Sequence, residues 1–249
     1  MIMTPKIGFN LERKYSINFD LPERNKNLIK FIIIHYTGMK IESKAIERLV
    51  NPKFKVSTHY FIRDDGTIIN MVPDEYVAWH AGLSNWKNFK SLNKHSIGVE
   101  LNNPGHNHGY KNFSHKQISS LTKLLKFFIK KYKIELKNIL GHSDIAPLRK
   151  KDPGEKFPWK KLGKKRVSFW HKLNEEKIKI YRKKKTSLFE KKSFLKNLYQ
   201  FGYCQIKEKS VDQNISFLTR AFQRRFRQEL INGKIDKECL LISKSLIKS

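Results

Sequence analysis

Short runs of hydrophobic residues alternate with polar turns through the first half of the chain. Leu28–Ile34 is a nearly continuous run rich in β-branched residues, which predicts a strand buried on both faces and ending at His35. The runs His59–Arg63 and Thr67–Val72 are separated by Asp-Asp-Gly, a turn sequence, and therefore predict a hairpin.

Two more short runs and one helical pattern follow. Ser96–Leu101 and Asn138–Gly141 predict short strands, and the second leads directly into His142. Between them, Ser114 is placed to cap a helix whose apolar residues fall on one face and whose lysines fall on the other. The pattern predicts an α/β domain with a mixed central sheet flanked by helices.

The pattern changes after about residue 160. Residues 160–192 hold 14 Lys and Arg against 3 Glu, which predicts a basic helical connector. From Ser193 onward, apolar residues return at helical spacing and predict a small helical unit. We therefore expect a first domain over residues 1–165, a connector over 166–192 and a helical domain over 193–249.

Composition narrows the class of protein. The 249 residues are 39% hydrophobic and 12% aromatic, too rich for a disordered chain, and no apolar run approaches the roughly 20 residues of a membrane helix. The net charge of +30 favours polyanionic partners such as nucleic acid, anionic lipid or an acidic polymer. Biased genome composition produces the same lysine-rich pattern, and both interpretations stay open.

Cysteine usage and the amino terminus bear on the compartment. Cys204 and Cys239 lack zinc-pair spacing and are expected to be small buried apolar residues. The first eight residues are followed by charged residues, with no apolar stretch typical of a secretory signal. We expect a cytoplasmic protein, with the periplasm as the alternative.

Residues suited to metal or proton chemistry lie at or near the ends of three predicted strands. These are His35, Glu100 and His142, and Asp152 follows in a turn fixed by Pro and Gly. Two histidines and one carboxylate suffice for a catalytic zinc that keeps its fourth position for water. Histidines that are hydrogen-bonded for structural reasons are the alternative, and spacing alone does not decide between them.

Six segments occur in the order found in a known family. They resemble the type-2 N-acetylmuramoyl-L-alanine amidases, zinc enzymes related to peptidoglycan recognition proteins, and the resemblance covers residues from about 28 to 160. The segments are Ile34–Thr37, Ser57–Ile62, Ala78–Gly82, Ser96–Leu101, Gly141–Pro147 and Arg149–Gly154.

The resemblance implies one zinc ion per chain, held by His35, His142 and Asp152. It places the catalytic carboxylate at Glu100 and a cation for the tetrahedral oxyanion at Lys150. Zinc chemistry would polarise the amide carbonyl and activate water at neutral pH, while Glu100 would act first as general base and then as general acid.

Other residues of these segments are candidates for contact with substrate. His80 and Trp79 are predicted to line a substrate groove, His59 to support the site from an adjacent strand, and Asn102 to contact substrate just past the Glu100 strand. The alternative is that the histidines are structural and that Asn102 and Asn103 cap a turn. The remaining histidines match no family position and are predicted to lie at the surface; they are His95, His106, His108, His115 and His171.

The carboxyl-terminal unit resembles the small three-helix peptidoglycan-binding module of cell-wall hydrolases. Phe194–Tyr203, Thr219–Arg227 and Asn232–Asp236 carry this resemblance. Phe222 and Phe226 are expected in its core. Such a module would raise the local concentration of a polymeric substrate by tethering.

Together these observations predict a zinc-dependent amidase that cleaves between N-acetylmuramic acid, or its 1,6-anhydro form, and L-alanine. Peptidoglycan or muropeptides are the expected partners. A non-catalytic peptidoglycan-recognition protein is the alternative, and a nucleic-acid partner is not expected because no nucleic-acid-binding motif is visible. Cytoplasmic relatives recycle anhydro-muropeptides, whereas relatives with the binding module are usually exported, so the choice of substrate form, like the oligomeric state, stays open.

Overall fold

The computed structural model describes residues 11–248. The strands within this part of the chain are β1 (Leu11–Arg13), β2 (Phe19–Asp20), β3 (Phe31–Tyr36), β4 (Tyr60–Ile62), β5 (Ile68–Asn70), β6 (Val77–Ala78), β7 (Asn85–Trp86), β8 (Phe89–Lys90), β9 (Ser96–Leu101) and β10 (Ile139–Gly141). Six of them form a mixed sheet in the order β1-β5-β4-β9-β3-β10. β3, β9 and β4 run parallel to one another, and β5 pairs antiparallel with β4.

The α-helices of the described residues are α1 (Glu42–Val50), α2 (His115–Tyr132), α3 (His142–Ile145), α4 (Trp159–Lys164), α5 (Glu175–Lys179), α6 (Leu188–Phe201), α7 (Val211–Phe226) and α8 (Lys237–Ile247). The capping box at α2 explains where that helix begins. The Ser114 hydroxyl accepts from the Gln117 backbone, and the Gln117 side chain accepts from the Ser114 backbone. None of the described helices is long and apolar enough to cross a membrane.

The chain divides into two compact units. The first comprises the chain up to Gly82 together with Asn93–Leu140, and the second comprises Leu83–Leu92 together with the chain from Gly141 onward. The predicted domain boundaries at residues 165 and 192 stay a prediction.

In the first unit, helices cover both faces of the sheet. Phe61 and Ile69 lie opposite each other on β4 and β5 and pack with Ile46 and Leu49 of α1. Tyr60, whose side chain points to the other face, meets Phe128 of α2 edge to face at 5.1 Å. The predicted strands, the hairpin and the Ser114-capped helix are confirmed, except that the first strand begins at Phe31 because Lys26–Leu28 form a 3₁₀ turn.

In the second unit, the three helices α6, α7 and α8 enclose an aromatic core. Phe194 meets Phe222 edge to face at 5.1 Å, and Phe222 lies 5.6 Å from Phe226, all between ring centroids. Phe222 and Phe226 are both buried, as expected. The small helical region predicted for the end of the chain is therefore confirmed.

The basic segment 166–192 differs from its prediction. It is helical only over α5 and from Leu188, so the prediction of a helical connector was wrong for most of its length. The segment is held instead by the loop before α8, since the Lys183 N–H donates to Asp236 and the Thr186 hydroxyl donates to the carbonyl of Ile235. His171 is buried here, which corrects its predicted place at the surface.

Two other expectations concern the cysteines and the amino terminus. Cys239 is buried as expected, Cys204 is only half-buried, and both are free thiols. The first eight residues, on which the expectation about export depends, lie outside the described residues.

Candidate metal centre and catalytic carboxylate

His35 and Glu100 are neighbours across two parallel strands. In the register of β3 and β9 they lie directly opposite each other, so their side chains point to the same face of the sheet. Adjacent strands lie about 4.8 Å apart, which places both groups within reach of one substrate atom. His35 is 2% exposed, and Glu100 is partly exposed.

His142 and Asp152 are held together by the backbone. His142 is the first residue of α3, directly after β10. The Ser143 N–H donates to the carbonyl of Asp152 at 2.8 Å, which ties the turn carrying Asp152 to this helix. The turn is compact because Gly154 adopts a left-handed conformation, with φ of 82°.

The structure brings together the three predicted metal ligands. His35, His142 and Asp152 are all buried, and each offers a ligand atom within 4.8 Å of the others. His142 Nδ1 lies 3.0 Å from an Asp152 carboxylate oxygen. Two donors on one tetrahedral zinc lie about 3.3 Å apart, given metal–ligand bonds of about 2.0 Å, so the cluster fits zinc with small adjustments. Two imidazoles and a carboxylate are a donor set that suits this ion.

His80 contacts a ligand side chain. Its Nδ1 lies 3.1 Å from His35 Nε2, and its Nε2 lies 3.2 Å from the Ser96 hydroxyl. The ring packs directly over Gly98, where an added Cβ would come within 2.5 Å of His80 Cγ. His80 was predicted to line a substrate groove, whereas this buried ring is placed to orient His35.

His59 is enclosed by protein and held by the backbone. Its Nδ1 accepts from the Gly98 N–H at 3.0 Å, so Nε2 carries the proton and donates to the carbonyl of Tyr76 at 3.1 Å. Burial, with a smaller contribution from the Arg24 charge, lowers the pKa of His59 to about 3. These contacts favour the structural alternative for His59 over contact with substrate.

Arg24 is the buried cation beside His59. Its guanidinium donates to four backbone carbonyls, those of Asp74, Asn93, Lys94 and Ser96. Burial lowers the pKa of Arg24 to about 10, so it stays charged at neutral pH. The positive charge of Arg24 is thus stabilised by backbone carbonyls from two separate segments of the chain.

Trp79 and Asn102 have different surroundings. The half-buried indole of Trp79 donates to Asp20 Oδ1 at 2.7 Å. Asn102 is buried. Its N–H donates to the carbonyl of Ile62, which extends the pairing of β9 with β4, and its carbonyl accepts from the side-chain amide of Gln117. The predicted substrate contacts of both residues stay predictions. For its neighbour Asn103, the turn-capping alternative fits, because its side-chain oxygen accepts from the Gly105 N–H.

Lys150 follows the ligand helix. Its N–H donates to the carbonyl of Ala146 at 3.0 Å, and the residue is half-buried two positions before Asp152. Its role as the oxyanion cation stays a prediction.

Sequence reasoning missed several supporting residues, including Ser96, Gly98 and Arg24. A signal existed for Gly98, since an isolated glycine inside a strand pattern often marks a close approach by another group. No comparable signal exists for Ser96, because the ring it contacts lies 16 residues away in the chain.

Comparison with known proteins agrees with this geometry. The sequence model of the Amidase_2 family, described as N-acetylmuramoyl-L-alanine amidase, matches residues 24–155. That range contains all three candidate ligands, Glu100 and Lys150.

The similarity extends over nearly the whole chain in one relative. N-acetylmuramoyl-L-alanine amidase AmiD of Escherichia coli (strain K12) is 31% identical over 98% of this chain and 89% of its own length. The structure of E. coli AmiD in complex with the substrate anhydro-N-acetylmuramic acid-L-Ala-D-gamma-Glu-L-Lys superposes with a TM-score of 0.78, covering 92% of this chain and 91% of AmiD.

Two further relatives share the fold or the sequence. AmpDh3 of Pseudomonas aeruginosa, solved in complex with anhydromuramic pentapeptide, gives a TM-score of 0.78 at 29% identity and covers 92% of this chain and 94% of its own. The 1,6-anhydro-N-acetylmuramyl-L-alanine amidase AmpD of E. coli is 41% identical over 42% of this chain and 55% of its own length. The matched family range and the near full-length similarity to AmiD together establish that this chain belongs to the N-acetylmuramoyl-L-alanine amidase family.

Proposed function

We propose that this protein is a zinc amidase that hydrolyses the bond between the lactyl group of 1,6-anhydro-N-acetylmuramic acid and L-alanine. The observation that carries the proposal is the buried cluster of His35, His142 and Asp152, with Glu100 opposite His35 on the next strand. The complexes of AmiD and AmpDh3 with anhydromuramyl peptides support the choice of substrate.

His35, His142 and Asp152 would hold the zinc ion. When bound, the ion would polarise the scissile carbonyl and lower the pKa of water toward about 7. A buried site favours this chemistry, because electrostatic interactions are stronger where water is excluded.

Glu100 moves the proton in this mechanism. Its carboxylate takes a proton from the attacking water and then gives it to the nitrogen of the departing L-alanine, so the general base of the first step is the general acid of the second. Partial exposure gives the group access to a substrate, and the strand fixes its distance from His35.

Lys150 and His80 have supporting tasks. Lys150 would place its ammonium beside the carbonyl oxygen that becomes negatively charged, an interaction worth about 3–4 kcal/mol for one well-placed donor. His80 holds the ring of His35 through their 3.1 Å contact, as outer partners of metal-binding histidines commonly do.

The helical region from Leu188 to Ile247 would bind peptidoglycan strands and so keep the enzyme near a polymeric substrate. The chain's +30 charge suits a partner whose stem peptides carry several carboxylates.

A mass-spectrometric digest tests the proposal. The protein is incubated with defined anhydro-muropeptides and with intact peptidoglycan, each with and without a chelator. Release of peptides that begin at L-alanine, lost with chelator and restored by zinc, is expected. If neither substrate releases peptide when zinc is present, while insoluble peptidoglycan still captures the protein, the alternative of a non-catalytic recognition protein replaces the amidase.

A further inference from the structure

Asp144 is a buried carboxylate inside the segment that carries a metal ligand. It lies two residues after His142 in α3 and is 1% exposed. The Gly141 N–H donates to its Oδ2 at 2.8 Å, so the carboxylate fixes the beginning of the helix at which His142 stands. Asp144 therefore contributes to the position of His142.

The other partners of Asp144 come from the end of the chain. The Tyr203 hydroxyl donates to Oδ1 at 2.7 Å, and Arg225 Nη1 donates to Oδ2 at 2.6 Å. Both partners are buried, and burial beside Asp144 raises the pKa of Tyr203 well above its ordinary value, so the phenol keeps its proton. A carboxylate out of water is tolerable only with such partners, so Asp144 is held where these two side chains are.

Arg225 also supports the second ligand segment. Its guanidinium carbon stacks 4.6 Å above the ring of Trp159. Trp159 and Pro153 both pack against Gly141, since a Cβ added at Gly141 would lie 2.7 Å from the Pro153 ring and 3.3 Å from the indole. Pro153 is the residue after Asp152. The Arg225 guanidinium is therefore linked to the segment of His142 through Asp144 and to the segment of Asp152 through Trp159, Gly141 and Pro153.

We propose that Arg225 and Tyr203, from the helical region at the end of the chain, are positioning residues for the metal ligands His142 and Asp152. This inference rests on the proposed zinc site. It gives the helical region a second task besides tethering, because a metal site requires its ligands to be held to within a few tenths of an ångström.

A nearby arginine provides a matched control. Arg227 lies two residues further, is also buried, and forms ion pairs with Asp236 and Glu238, the second at 3.6 Å. Asp236 caps α8, so these pairs stabilise the helical region without touching the ligand segments. Arg225→Met and Arg227→Met therefore remove equivalent buried cations with different neighbours.

The test measures zinc affinity of the full-length protein by competition with a chelator, in the absence of substrate. Arg225→Met is expected to weaken zinc binding by about 10- to 100-fold, the range found for outer partners of metal ligands. Arg227→Met is expected to keep the affinity of the unsubstituted protein. Absorption spectra of the Co²⁺-loaded proteins report ligand geometry directly and should change only for Arg225→Met.

Tyr203→Phe keeps the inference testable if Arg225→Met does not fold. It removes a single hydrogen bond to Asp144 and should weaken zinc binding in the same direction, by a smaller factor. Unchanged zinc affinity and Co²⁺ spectra in the folded variants at Arg225 and Tyr203 would overturn the inference. Failure of the unsubstituted protein to bind zinc would overturn it together with the metal site, whereas zinc binding without hydrolysis would overturn only the proposed amidase activity.

Discussion

The two faces of the central sheet differ along the same two strands. One face of β3 and β9 carries His35, Ser96, Gly98 and Glu100 at the site, together with the buried apolar residues Phe31 and Ile33. The opposite face carries Ile32, Ile34, Ile97, Val99 and Leu101, all of them fully buried, and ends at the half-buried Tyr36. The strand period of two therefore places the polar groups of the site on one face of these strands.

The groups that pack against these two faces also differ in polarity. Hydrocarbon from α2 covers the apolar face, whereas the imidazole of His80 covers β9 at Gly98 on the site face. The His80 ring forms a hydrogen bond with the candidate ligand His35, whereas a hydrocarbon side chain in its place could not. Substitutions on one face should therefore change the chemistry, and substitutions on the other should change the stability.

The largest effect on activity without an effect on stability is expected at Glu100. Glu100→Gln keeps the shape of the side chain but removes the group that transfers the proton, so turnover of an anhydro-muropeptide should fall by about 10²- to 10⁴-fold. Zinc affinity and the free energy of unfolding should stay close to those of the unsubstituted protein. Near-normal turnover in this variant would remove Glu100 from the mechanism.

Part of the pH dependence of stability should also come from the site face. His59 has a pKa of about 3 in the folded protein and about 6.5 in an unfolded chain. Its contribution is fully present above pH 6.5. Below that, the unfolded chain gains the proton first, so the free energy of unfolding falls as pH is lowered from 6.5 toward 3, by up to about 1.4 kcal/mol per pH unit.

Urea unfolding of the metal-free protein between pH 4 and pH 6 measures this slope. His59→Asn should flatten it, whatever the loss of stability at neutral pH. Equal slopes in the two proteins would contradict the assignment. Val99→Ala, on the hydrocarbon face, is the control, because it should lower the stability at every pH without changing the slope.

Val99→Ala itself should cost about 2 kcal/mol of unfolding free energy, from two lost methyl groups and the cavity that remains. Val99 is the residue before Glu100 and points to the opposite face. We expect the rate of hydrolysis per zinc-binding site to stay unchanged. The concentration of sites in each preparation is determined by titration with zinc. A large loss of turnover would show that the two faces are coupled.

The smallest expected effect is at Gly98. Gly98→Ala suits a strand backbone but places its Cβ 2.5 Å from the His80 ring, which must move away from His35. Zinc affinity should fall by about tenfold. In a His80→Ala background, the same substitution should have little further effect, and additive losses would contradict this explanation.

Much of the fold was predictable because local patterns determine it. β9 begins and ends where the hydrophobic pattern places it, and α2 begins at the Ser114 cap for reasons confined to four residues. The basic segment 166–192 was mispredicted for the opposite reason. Its lysine-rich composition favours helix, but Lys183 and Thr186 form hydrogen bonds with residues 236 and 235, which no local pattern reveals.

The candidate site divides in the same way. The residue types and their places at or near the ends of strands were visible in the sequence. The family resemblance then selected His35 and His142 from the other histidines, and Asp152 as the third ligand. The task of His80 was not visible, because it depends on a contact with a residue 45 positions away. The partners of Asp144 are 59 and 81 positions away, so sequence reasoning confined to the first domain could not find them.

The hydrogen bonds of Arg24 should affect how this part of the molecule unfolds locally. Its single guanidinium holds the carbonyls of a loop residue, Asp74, and of Asn93, Lys94 and Ser96 at the entrance to β9. Opening either segment alone would leave a buried charge short of acceptors. We expect these two segments to exchange their protected amide hydrogens together, as one cooperative unit with the sheet and not as independent loops.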